Sequence, residues 1–206
     1  NPLIHFLLIL FFLCWINDKK AIYYLLIFSL VFLTRPDAIL LLSPAVLLVM
    51  LKKKSIKLIF LGFMPAVIWV LFSLFYYGAP IPNTALAKVG TSLALSDKFV
   101  QAFYYFQWVF DNDLPTLIII FFGIVSGFLN KKYFSFSVGL IIFIFYLFYV
   151  GADYMGGRFL SAPVLISIVL IGLAGQKICV GIFILCMAFL SPYIKNTIFS
   201  PLNFNN

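Results

Sequence analysis

Charge is what this sequence has least of. Lys, Arg, Asp and Glu make up only 10% of its 206 residues, and six of them are acids. A soluble domain carries about a quarter charged residues. Here 65% of residues are apolar, more than a water-soluble core could cover. Histidine is reduced to His5, inside the first apolar run, where it reads as an interhelical hydrogen-bond partner. That excludes a credible Ser-His-Asp arrangement. Cysteine is scarce too: Cys14, Cys179 and Cys186 all lie in apolar runs without metal-ligand spacing. They read as small inert hydrophobes, which excludes a zinc cluster or a thiol pair. A nucleotide-binding glycine loop, an internal repeat and a low-complexity tract are equally lacking. The chain opens Asn1-Pro2-Leu3, with neither Met nor a basic stretch ahead of its first apolar run. That is unlike a signal peptide, and the expectation is the later part of a longer protein, with catalytic residues upstream.

What is present is apolar sequence in long runs. Phe alone contributes 26 residues, which suits lipid-facing helices and interface belts. Runs occur at Leu3–Ile16, Ala21–Thr34, Ala38–Leu51, Leu58–Tyr77, Leu114–Leu129, Tyr133–Val150, Phe159–Gly175 and Ile178–Pro192. Only helices and closed barrels span lipid, and the runs lack the alternation of barrel strands. The expected fold is all-α: a polytopic membrane protein of about eight transmembrane helices, one transmembrane domain over residues 1–206. Residues 78–113 form an expected external loop, and Asp97–Phe110 reads as an amphipathic interfacial helix within it.

The net charge of +8 would point to nucleic acid in a soluble protein. Here it reports topology instead, and no nucleic-acid partner is expected. The connectors Asn17–Lys20, Lys52–Lys57, Asn130–Lys132 and Gln176–Lys177 hold nine lysines and one acid, Asp18. The alternate connectors hold Arg35, Lys88, Lys98, Arg158 and Lys195 against five acids. The lysine set should be cytoplasmic, which turns the other set outward. Arg35-Pro36-Asp37 breaks the apolar stretch Ala21–Leu51, because Pro36 disfavours helical geometry at Arg35 and suits the start of a new helix. A hairpin and a re-entrant pair both return the chain to the lysine side.

The outward set holds the candidate site. Gly151-Ala152-Asp153-Tyr154-Met155-Gly156-Gly157-Arg158-Phe159 packs three glycines, a carboxylate and a guanidinium into nine residues. Around it fall Arg35 and Asp37, and Asn83 and Lys88 on the stretch that begins Gly78-Ala79-Pro80-Ile81-Pro82. Arg offers a planar donor fork to phosphate and Lys a point charge. Glycine amides add N–H donors. The set suits a diphosphate or phosphodiester at headgroup level. The carboxylates could orient sugar hydroxyls, bind a divalent cation or deprotonate an acceptor hydroxyl. Taken singly, each residue has a plainer use. Arg35 and Lys88 could be interface anchors, Asp37 a helix cap, and the glycine loop a turn with Arg158 snorkelling to headgroups.

Together these stretches resemble a family. Thr34-Arg35-Pro36-Asp37 is similar to the Arg-Pro-Asp motif of multi-spanning, polyprenyl-phosphate-sugar-dependent glycosyltransferases, in particular the branch with the bacterial terminal arabinofuranosyltransferases. Tyr76-Tyr77-Gly78-Ala79-Pro80-Ile81-Pro82-Asn83-Thr84, followed by Ala87-Lys88, resembles that branch's Tyr-Gly-x-Pro-x-Pro-Asn-Thr…Ala-Lys stretch. The loop from Gly151 to Phe159 resembles its Gly-Gly-Asp-x-Met-x-Gly-Arg-Phe loop, with Ala152 in place of the second Gly. The resemblance implies a polyprenyl-phosphate-linked sugar donor, a glycan, lipid or protein acceptor, and a site at the outer membrane face. It implies that Arg35, Lys88 and Arg158 hold phosphate, that Asp37 and Asp153 orient the sugar or a cation, and that Asn83 donates to a hydroxyl. It also implies a main catalytic Asp in an earlier external loop. A flippase of lipid-linked sugars, or a scaffold using these loops as anchors, are the competing expectations.

Overall fold

The computed structural model describes residues 2–53, 55–79, 94–152, 156–175 and 181. Every regular element among them is helical: α1 (Pro2–Ile16), α2 (Ala21–Thr34), α3 (Ile39–Lys53), α4 (Ile56–Tyr77), α5 (Leu95–Asn112), α6 (Leu114–Leu129), α7 (Phe134–Val150) and α8 (Ser161–Ala174). Short 3₁₀ turns at Pro36–Ala38 and Gly156–Leu160 precede α3 and α8. Seven of the eight apolar runs therefore become helices. The run Ile178–Pro192 lies almost wholly outside the described residues.

Length separates α4 from the others. Its 22 residues are long and apolar enough to cross a membrane. The apolar helices α1, α2, α7 and α8 have 14 to 17 residues, or roughly 21–25 Å, against a hydrocarbon core of about 30 Å. Helices α5 and α6 pass the same test as one broken span, bent by 107° at Asp113. Pro115, within the first turn of α6, suits a helix that starts afresh at that bend.

The core lies among α1, α2, α3 and α7, where Phe11, Leu25, Leu41, Phe136, Leu140 and Phe143 are fully buried. Close approach is possible because small residues mark the crossings. A Cβ on Gly139 of α7 would run into the carbonyl oxygen of Leu41 on α3. Helix pairs in lipid favour such small contacts. Pro65 lies inside α4, and the next amide, Ala66 N–H, donates to the buried hydroxyl of Ser29 on α2 at 2.9 Å. A serine thereby ties α4 to the bundle beside a proline.

The chain does return after Arg35. One cavity is lined by Ala21 and Tyr24 at the start of α2 and by Leu48, Val49 and Lys52 near the end of α3. Trp15, at the end of α1, stacks edge-on to Phe136 at the start of α7, so those termini share this end as well. The bundle thus has a lysine-rich end, and an opposite end formed by the α2–α3 turn, the Gly156–Leu160 turn and α5.

Candidate functional site

The break between α2 and α3 is built by three residues. Arg35 leaves α2 in an extended conformation, φ −155° and ψ 95°, as a residue before proline should. Pro36 opens the 3₁₀ turn, and Asp37 sits in that first turn. The two charges then face each other. Arg35 Nε donates to both Asp37 oxygens at 3.0 Å, and Nη2 lies 2.8 Å from Oδ2. Both side chains are mostly buried, at 19% and 14% exposure. A guanidinium has five N–H donors. Asp37 engages one edge, and among the described residues the Nη1 edge has no hydrogen-bond partner.

The guanidinium also packs 5.5 Å from the ring centre of Phe159, within cation–π range. Phe159 belongs to the turn Gly156–Leu160, so two stretches more than a hundred residues apart in sequence meet here. Tyr146, on α7, lies within electrostatic reach of both Arg35 and Asp37. Arg158, next to Phe159, is exposed, and its backbone carbonyl accepts a hydrogen bond from Ser161 Oγ at 3.0 Å. The structure therefore gathers Arg35, Asp37 and Arg158 at one end of the bundle. Asn83, Lys88 and Asp153 lie outside the described residues.

The approach to the glycine loop is set by Gly151, the left-handed cap of α7, at φ 87°. Ala152 follows at φ 52°, a conformation costly for a residue with a Cβ. Where Gly151 stands, an added Cβ would meet Gln101 Oε1 and the Lys98 backbone on α5. Helix α5 is thus laid against the end of α7, with Phe106 stacked on Phe148.

This packing introduces Lys98, expected only as an outward charge within the interfacial helix Asp97–Phe110. It is 7% exposed, and its ammonium lies 6.0 Å from the Tyr149 ring centre. The signal was its spacing. Lys98, Ala102, Tyr105 and Val109 share one helix face and are the buried residues of α5. The aromatic residues Phe103, Tyr104, Trp108 and Phe110 point away and stay exposed. A helix with one face on the bundle and a second, aromatic face outside suits a membrane interface.

Chemically, this end offers a fixed guanidinium with one edge unpaired among the described residues, Arg158, a sequestered ammonium and glycine-rich backbone. That donor set fits a phosphate-bearing anion better than a neutral ligand. Among the described residues no cluster of three metal-ligating side chains occurs. Comparison with protein-family models, curated proteins and solved structures finds no match to the chain.

Proposed function

We propose that the chain is a membrane glycosyltransferase, or the later part of one. It would move a sugar from a polyprenyl-phosphate donor to a cell-surface glycan, lipid or protein acceptor. In this reading the helices form a multi-pass bundle in a plasma (inner) membrane, the lysine-rich end is cytoplasmic, and the site faces the periplasm or exterior. The observation that carries the reading is the contact of Arg35 with Phe159. It unites the Arg-Pro-Asp turn with the Gly-Arg-Phe turn, two of the three stretches that resemble such enzymes.

The roles follow from the donor set. Arg35, held in place by Asp37, presents its free edge to the donor phosphate, with Arg158 and Lys88 adding charge. Lys98 supplies a further cation behind the loop. Asp153 would orient the sugar or a cation, or take the acceptor proton, and Asn83 would donate to a sugar hydroxyl. In the reaction the acceptor oxygen bonds to the anomeric carbon while the bond from that carbon to the phosphate oxygen breaks. The phosphate leaves with the electron pair, and the hydroxyl proton passes to a carboxylate. The cations stabilise the charge that develops on the leaving phosphate.

The test uses the full-length protein in membranes supplied with a lipid-linked sugar. Arg158→Ala and Asp153→Asn should each lower transfer by roughly a hundred-fold or more, with expression unchanged. Full transfer by both variants would remove the site assignment. Movement of the lipid-linked sugar across the bilayer with no covalent product would favour a flippase instead.

A further inference from the structure

At the opposite end of the bundle lies a cavity of about 510 Å³ that the proposed reaction does not use. Its walls come from three connectors far apart in sequence, which bring together Lys19, Lys52, Lys53, Lys131 and Lys132. One carboxylate enters it, Asp18, and that is taken by Lys132 Nζ at 3.1 Å. The other four lysines have no acid partner among the described residues. The wall is held rather than loose. Trp15 Nε1 donates to the Lys132 carbonyl at 3.1 Å, Lys132 Nζ donates to the Ile16 carbonyl at 3.2 Å, and Trp15 packs edge-on against Tyr24.

A second, independent feature lies within the same cavity. Ser135 lines it, is 3% exposed, and has a hydroxyl with no hydrogen-bond partner among the described residues. A buried polar group left unpaired is costly, and in a cavity wall its hydroxyl is open to an acceptor that enters the cavity. Ser135 stands in the first turn of α7, where the helix dipole favours an anion, although the Phe134 and Phe136 amides already donate to the Asn130 and Tyr133 carbonyls. The remaining walls include Leu48, Val49 and Phe134, which are apolar. Cations and a hydroxyl donor beside apolar walls fit an amphiphile better than a free ion.

We propose that this cavity binds the phosphate headgroup of an anionic membrane phospholipid, with the lysines and Ser135 on the phosphate and the apolar wall against the start of the acyl chains. The proposal shares with the glycosyltransferase reading only the placement of the bundle in a membrane. Its readout does not involve transfer.

The three tryptophans of the chain are Trp15, Trp69 and Trp108. With Trp69→Phe and Trp108→Phe as background, Trp15 reports on the cavity alone. The protein is reconstituted in phosphatidylcholine vesicles, and quenching by phosphatidylglycerol brominated near the glycerol is compared with quenching by equally brominated phosphatidylcholine. The expected result is a roughly ten-fold preference for the anionic lipid, the scale set by a cation or two at a surface. K52A/K53A should bring it near parity, and S135A should lower it. K20A/K57A removes as much charge from the same end without touching the cavity wall and should leave the preference intact. Equal quenching by both lipids, or equal loss in both lysine pairs, would overturn the site in favour of diffuse surface attraction. Inorganic phosphate that abolishes the preference, where sodium chloride at the same ionic strength does not, would reassign the cavity to a soluble phosphate.

Discussion

The two ends of this bundle carry similar residues and use them differently. At the Arg35 end the ion pair is sequestered, capped by an aromatic ring and set in a proline turn. At the lysine end the ion pair of Lys132 with Asp18 is open, with Asp18 81% exposed, and cations outnumber acids around it. The difference teaches that net charge and site are separate properties. Excess charge is legible as composition and acts at long range. A fixed pair acts through geometry, because burial weakens the competition from water.

The largest effect that should separate the ends is the loss of Asp37. Asp37→Asn removes the charge that holds the Arg35 guanidinium and leaves it mostly buried with a weaker partner. Hydrogen bonds to charged groups contribute about 1.5–3 kcal/mol each, so a loss of about 2 kcal/mol is expected. Unfolding by sodium dodecyl sulfate in mixed micelles would measure it. A change close to zero would mean the pair adds nothing, and the contrast between the ends would fall.

A smaller loss is expected at Gly151, which stands at φ 87°. Gly151→Ala should cost about 1–2 kcal/mol for the left-handed conformation. The added methyl would also press on Gln101 Oε1, at 3.0 Å, and so on the seat of α5. If α5 carries Lys98 into the site, the variant should lose transfer activity beyond what its stability explains. Unchanged activity in a destabilised protein would make α5 a support only.

Much of the fold was readable from punctuation. Helix α2 covers Ala21–Thr34 and α6 covers Leu114–Leu129, the bounds of their apolar runs, because lysines, prolines and aspartates flank them. The break at Arg35-Pro36-Asp37 follows from proline alone. Other features depend on three-dimensional contact. That Arg35 meets Phe159 is invisible locally, since more than a hundred residues intervene and neither side chain has a distinctive spacing. Burial of Lys98 was harder to see because the aromatic residues of α5 dominate its pattern and fall on both faces: Tyr105 is buried beside Lys98, while Phe103, Tyr104, Trp108 and Phe110 are exposed. Reach was legible as well. The apolar runs under α1 and α2 are shorter than the one under α4, and the helices keep that order at 15, 14 and 22 residues.

The smallest effect is expected at Asp18, and it tests the contrast most directly because the chemistry is the same as at Asp37. Asp18 occupies a left-handed position, φ 47°. Asn tolerates that conformation about as well as Asp, so Asp18→Asn changes charge and little else. An exposed pair is screened by water and salt, and the change should lie within about 0.5 kcal/mol, vanishing at high ionic strength. Its consequence should appear elsewhere. Freeing Lys132 adds a cation to the cavity wall, so the preference of Trp15 quenching for anionic lipid should rise while stability holds. If Asp18→Asn instead destabilised the protein as much as Asp37→Asn, the lysine end would be a second structured charge site, and surplus charge would not describe it.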